Sequence, residues 1–262
     1  MIELEKISKF YGSLEVLSDV SLTIGNNEIV TIVGPSGAGK TTLLQIAGTL
    51  DKPDFGTVTY NGKEILGLND KKLSAFRNSN IGFIFQFHQL LPEFTAQENV
   101  ALPAMIGGMS KRKAMEKAAE LLDMLGLSDR MTHKPAQMSG GERQRTAIAR
   151  ALVNDPEVIF ADEPTGSLDS RNRDEICAII ADLRKKLGRT FVIVTHDPYM
   201  TTIADRVITM EDGRIVSEES TAPEPPVDLF MLKDAMDEVF GTSFEQESTD
   251  ENSEFPNSEN NC

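Results

Sequence analysis

Nine consecutive residues, Gly34-Pro35-Ser36-Gly37-Ala38-Gly39-Lys40-Thr41-Thr42, combine glycines, a lysine and hydroxyls at the spacing Gly-x-x-x-x-Gly-Lys-Thr. Gly34, Gly37 and Gly39 lack the Cβ that would forbid tight backbone turns. Successive N–H groups can therefore face inward around a polyphosphate at the positive end of a following helix. In such a loop the Lys40 ammonium falls on the β- and γ-phosphates and the Thr41 hydroxyl on Mg²⁺. The flanks suit the motif: an apolar run, Glu28 to Val33, precedes it and a helical pattern, Leu43 to Leu50, follows. The plainer alternative is a glycine-rich turn carrying an exposed lysine.

Other residues could complete the chemistry. Glu157-Val-Ile-Phe-Ala-Asp-Glu163 is an apolar strand ending in adjacent carboxylates. Asp162 there can supply an acceptor to the Mg²⁺ shell, and Glu163 can polarise a water. Such a pair can also merely cap a helix, but Pro164 and Thr165 to Asp169 follow, so the carboxylates sit on a turn. Ile81 to Gln86 is a strand closing in an amide that reaches a metal or water if it lies beside the phosphate loop. Thr190 to Thr195 ends in His196, on the ligand side of a parallel sheet. Ser139-Gly140-Gly141-Glu142 fits a capping box. Its two glycines also leave amides bare at a helix N-terminus, an anion site that another molecule would fill. Tyr11, before Gly12, either stacks on a purine or packs at a sheet edge.

The elements that must position these groups alternate between β and α patterns. Residues 1–33 read as β, with Ile2, Leu4 and Ile7, then Leu14, Val16 and Leu17, then Val20, Leu22 and Ile24 set between turn signals. Thr57 to Tyr60 reads as a strand entering a tight turn at Asn61-Gly62, and a polar Lys- and Ser-rich segment follows. Helical signals begin at the Thr95/Glu98 capping box and continue from Ser110 to Leu125, ended by Gly126. Ser139 to Arg145 opens a further helix, Thr146 to Val153, and another is predicted from near Arg173 to Leu187, ended by Gly188. The sum is an α/β chain with an N-terminal antiparallel sheet, a parallel β-loop-α unit and an inserted helical subdomain at roughly 86–150.

Composition narrows the class. The 262 residues can bury a substantial core, and no run of about 18 apolar residues suggests a membrane span. The start has neither the basic region nor the apolar core of a signal peptide, which points to the cytosol. Of the two cysteines, Cys177 lies in an apolar helical pattern and Cys262 is the last residue, so neither a disulfide framework nor a Cys/His metal cluster is expected. The net charge of −15 is uneven: from Ser217 onward there are 13 acidic residues and one basic one, leaving −3 for everything before. With no strongly basic block, nucleic acid is a poor partner. His88 and His133 read as ordinary packing or surface residues, and Met115, Met124 and Met131 as core filling.

The phosphate loop, Gln86, Ser139-Gly140-Gly141-Glu142, Asp162-Glu163 and His196, in that order, resemble the nucleotide-binding subunits of ABC transporters, over Met1 to about Val216. The resemblance implies an ATPase of the P-loop type that binds ATP and Mg²⁺ between two copies of itself. It implies that Tyr11 stacks on adenine, that Lys40 and the loop amides hold phosphates, and that Thr41 and Gln86 are Mg²⁺ ligands, with Asp162 holding the metal through water. Glu163 would be the general base and His196 would touch the γ-phosphate. Ser139, Gly140 and Gly141 would close on the ATP of the second subunit, and Ser167, Leu168 and Asp169 would link the two sites. The family signature often reads Leu-Ser-Gly-Gly-Gln; here Met138 and Glu142 stand at its ends.

Phe85 to Ala96, Glu98 to Val100, Gly140 to Arg145 and Asp162 to Asp169 further resemble the lipoprotein-releasing ATPases within the macrolide-exporter and cell-division group. That implies two integral membrane permease subunits, lipoprotein cargo held by them, and a peripheral place on the cytoplasmic face of the bacterial inner membrane. An exporter or cell-division role stays open, as does, more remotely, a soluble ABC ATPase. After Val216 the resemblance stops. Ala222 to Pro226 reads as a linker, 227–240 as a short amphipathic helix, and the acidic remainder as disordered.

Overall fold

The computed structural model describes residues 1–221. The chain enters through strands β1 (Ile2–Tyr11) and β2 (Leu14–Ile24), then β3 (Ile29–Val33) and helix α1 (Lys40–Ala47). Strands β4 (Phe55–Tyr60) and β5 (Lys63–Glu64), helix α2 (Asp70–Asn80) and strand β6 (Ile81–Phe85) follow. Helices α3 (Ala96–Ile106), α4 (Lys111–Met124) and α5 (Gly140–Leu152) occupy the stretch between β6 and β7 (Val158–Asp162). The described residues end with α6 (Ser170–Leu187), β8 (Thr190–Val194), the short α7 (Pro198–Thr202), β9 (Arg206–Glu211) and β10 (Arg214–Ser220).

Two sheets result. The antiparallel one has the order β2-β1-β4-β5, and the larger one β10-β9-β3-β8-β7-β6. In the larger sheet β6, β7, β8, β3 and β9 run parallel, and β10 closes the edge as the antiparallel arm of a hairpin. Its central strands are mostly apolar and almost wholly buried because both faces are covered. Ile159, Ala161, Phe191 and Ile193 join a core built with α3 to α6, while Val158, Phe160, Val192 and Val194 point the other way, into a core shared with α1 and the antiparallel sheet. Cys177 lies in the first core, where burial pushes its thiol up to about 12, so it acts as a small apolar group.

Local signals act as the sequence suggests at several ends. The Thr95/Glu98 and Ser139/Glu142 capping boxes form both of their bonds, and Gly188 ends α6 in the left-handed conformation. Met124 is buried and Met115 and Met131 pack partly buried against the same core. Two differences stand out. The polar Lys- and Ser-rich segment is helix α2, capped by the Asn69 side chain accepting from the Lys72 N–H at 3.0 Å. Strand β10 runs to Ser220, past the boundary read at Val216, because its pairing with β9 continues to Arg206. The helix read at 227–240 and the acidic stretch after it lie outside the described residues.

Candidate nucleotide site

Four neighbouring parallel strands end at one edge of the larger sheet, and their register decides what meets there. Ile32 aligns with Val194, Val194 with Asp162, and Asp162 with Phe85. The residues just beyond, Gly34, His196, Glu163 and Gln86, therefore emerge side by side at the carboxyl edge, where open α/β sheets take their ligands. An open cleft of about 520 Å³ lies there. Gly34, Ser36, Gly37, Ala38, Gly39, Lys40, Thr41 and Thr42 form one wall, and Gln86, Asp162, Glu163 and His196 face them, with Leu14, Val16 and Val194 completing the lining.

The phosphate loop owes its path to close packing. A Cβ on Gly34, whose φ is 144°, would lie 2.1 Å from the Met210 carbonyl oxygen, so only glycine lets the loop pass β9. Gly39 enters α1 in a left-handed conformation with no side-chain cap and no acidic residue in the first turn. The first N–H groups of α1 thus face the cleft uncapped, which favours an anion. The Lys40 ammonium donates to the carbonyls of Gly34 and Pro35, each at 2.9 Å. It is held on its own loop.

Opposite, the Thr41 hydroxyl donates to Asp162 Oδ1 at 3.2 Å. Burial raises the Asp162 carboxyl above its ordinary range; the Thr41 hydroxyl opposes this, and the neighbouring Glu163 charge adds to it. A hydroxyl, a carboxylate and the Gln86 amide oxygen make a hard oxygen donor set that suits Mg²⁺.

Glu163 turns sharply out of β7 with φ 49°, its N–H bonded to the Val194 carbonyl at 2.8 Å. Its Oε2 accepts from the Thr195 hydroxyl at 3.2 Å and the His196 N–H at 3.4 Å, and Oε1 faces His196 Nδ1 at 2.7 Å. The Glu163 side chain is 15% exposed and that of His196 70%, so the imidazole is the group that reaches solvent. Thr195 escapes sequence reasoning: its one signal is a hydroxyl residue closing an apolar strand, and its partner is set by strand register.

Three predicted groups are not in the cleft lining: Pro35, whose carbonyl accepts from Lys40, then Tyr11 and the Ser139 to Glu142 turn. Tyr11 is half-exposed at the end of β1; its hydroxyl donates to Asp51 Oδ2 at 2.9 Å and the Lys9 ammonium sits 5.3 Å from its ring centre. Its register partner is Leu14, which does line the cleft. Ser139, Gly140, Gly141 and Glu142 form the N-terminus of α5, apart from the lining. There Ser139 Oγ accepts from the Glu142 N–H at 3.2 Å, and the Glu142 carboxylate accepts from the Ser139 N–H and the Arg130 side chain. A Cβ on Gly141 would lie 2.0 Å from Asn172 Oδ1, so this turn packs tightly against the start of α6.

Phosphate-directed amides, a lysine at the phosphate loop, oxygen donors for a divalent cation and a held carboxylate can together bind and hydrolyse a nucleoside triphosphate. The ABC transporter family matches residues 17–166. The chain belongs to that family, as an ATP-binding cassette subunit with the ABC ATPase fold. Among its relatives, the lipoprotein-releasing system ATP-binding protein LolD of Bacteroides thetaiotaomicron is 60% identical over 215 residues, covering 82% of this chain and 99% of the relative. The LolD protein of Porphyromonas gingivalis is 55% identical over 218 residues, covering 83% and 100%. A solved structure of the ATP-binding cassette MJ0796, dimeric in a post-hydrolysis state with ADP and Pi, superposes with a TM-score of 0.78 at 41% identity over 84% of this chain and 98% of that one.

Proposed function

We propose that the chain hydrolyses MgATP between two copies of itself to drive two integral membrane subunits that release lipoproteins from the bacterial inner membrane, on whose cytoplasmic face it works. The observation that carries the chemistry is the Glu163 carboxylate held at a strand end beside Asp162 and His196 and across the cleft from the phosphate loop. The 46–60% identity to relatives named for lipoprotein release supports the cargo. Among the described residues no helix is long and apolar enough to cross a membrane, which suits a subunit docked on separate membrane partners.

In this reading the α1 N-terminus and loop amides bind the phosphates, Lys40 leaves the Gly34 and Pro35 carbonyls for the β- and γ-phosphates, and Tyr11 stacks on adenine beside Leu14. Thr41, Gln86 and Asp162 would hold Mg²⁺, which when bound neutralises phosphate charge. Glu163 takes the proton of an in-line water whose oxygen bonds to the γ-phosphorus as the bond to the bridging oxygen breaks. His196 contacts the γ-phosphate, and Ser139, Gly140 and Gly141 of a second copy close the site, the Ser139 hydroxyl proton remaining free to donate.

Glu163→Gln should keep ATP binding while turnover falls about 100-fold or more. The variant, purified from its native membrane in mild detergent with ATP, should bring down permease-type subunits carrying lipoprotein. The same kind of membrane subunits without lipoprotein would move the reading to an exporter or cell-division complex; ribosomes or DNA would end the transporter reading.

A further inference from the structure

Glu163 is not positioned by His196 alone. The Thr195 hydroxyl, fully buried, accepts from the Asp197 N–H at 3.0 Å, so its single proton is directed to Glu163 Oε2 at 3.2 Å. Asp197 in turn accepts from the hydroxyl of Thr165, itself 3% exposed, at 3.0 Å. The Thr195 N–H donates to the Ile32 carbonyl at 3.2 Å, which fixes this residue against the strand that feeds the phosphate loop. Thr165 opens the turn of residues 165–169 that caps α6 through Asp169. A hydrogen-bonded relay, from Thr165 to the Asp197 carboxylate and from the Asp197 N–H through Thr195 to Glu163, thus joins that turn to the carboxylate. Buried hydrogen bonds to a charged acceptor are the strong ones.

We infer that Thr195 is a positioning residue that fixes the Glu163 carboxylate for water activation, and that the relay makes its orientation depend on the 165–169 turn. The inference rests on Glu163 being the general base. A loosely held carboxylate would still bind ATP but would less often meet the attacking water, so the loss belongs to kcat rather than KM.

Steady-state ATP hydrolysis by the full-length chain tests this with Thr195→Val, Thr195→Ser, Glu163→Gln and the Glu163→Gln/Thr195→Val double variant. Thr195→Val should lower kcat about tenfold with the ATP KM within about twofold, Thr195→Ser should restore kcat to within about twofold, and the double variant should be no slower than Glu163→Gln. Glu163→Gln collapsing while Thr195→Val turns over normally would overturn the inference alone. So would Thr195→Ser as slow as Thr195→Val, or an undiminished Thr195→Val loss on top of Glu163→Gln. Normal turnover by Glu163→Gln would instead remove the general-base reading and the inference with it. If Thr195→Val fails to fold, Thr165→Val at the far end of the relay should lower kcat about two- to fivefold at unchanged KM, and a wild-type kcat there would overturn the relay.

Discussion

Asp162 carries a charge in a place that resists one. Its raised carboxyl means that the ionised form is disfavoured in the nucleotide-free fold. The resulting destabilisation is present near neutral pH and vanishes as pH falls through the raised value into the carboxylate range, where the proton stays on. Asp162→Asn should therefore raise the melting temperature of the nucleotide-free protein at pH 7 by about 1–3 °C, with the gain shrinking toward pH 4. Mg²⁺ with ATP should stabilise the wild type more than the variant; thermal melts across pH check both. Asp162, Glu163 and His196 were legible in the sequence because each ends an apolar strand. Thr195 was not, because its partner comes from another strand and only the β7–β8 register shows that they meet.

Between residues and fold, the loop after β6 shows how an element is held. His88 and Gln89 are both left-handed, with φ 59° and 48°, and His88 is buried. Arg150 of α5 donates to the His88 carbonyl at 2.7 Å and the Gln89 carbonyl at 2.6 Å, so one guanidinium fork ties the loop bearing Gln86 to the helix begun by Ser139. A lysine is shorter and offers one nitrogen where Arg150 uses two, so it cannot reproduce this planar fork. Arg150→Lys should cost about 1–3 kcal/mol in urea unfolding and speed proteolysis at the exposed Phe87. Elements with strong end signals, such as the two capping boxes, were legible from sequence. Helix α2 was not: among its residues only Leu73 is buried, so its pattern resembles a loop and its one clear mark is the Asn69 cap. The β9–β10 hairpin also went unread, although Asp212-Gly213 supplies a fitting turn.

At the scale of the molecule, the central strands feed two cores at once, so neither the helices of residues 96–152 nor the antiparallel sheet has a core of its own. The C-terminal boundary follows from the same sheet. The Thr221 N–H donates to the Asp205 carbonyl at 2.9 Å, and Arg206 pairs with Glu28 at 2.8 Å and Glu218 at 2.6 Å. Removing everything after Thr221 should leave ATPase activity within about twofold and the melting temperature within about 2 °C. Ending the chain at Val216 strips the outer half of β10 and should destabilise by about 1–3 kcal/mol, more from the lost ladder than from the half-exposed ion pair. Melts and turnover of the two truncations separate the outcomes.

The strand order has a consequence for biosynthesis. Both neighbours of β3, the strand that launches the phosphate loop, are β8 and β9, made long after it. A growing polypeptide must therefore carry β3 unpaired, its apolar residues open to other chains, until synthesis is nearly over. Nucleotide competence therefore arrives late, and a ribosome that stalls in the helical stretch leaves a fragment with the phosphate loop and Gln86 but without Asp162, Glu163 and His196.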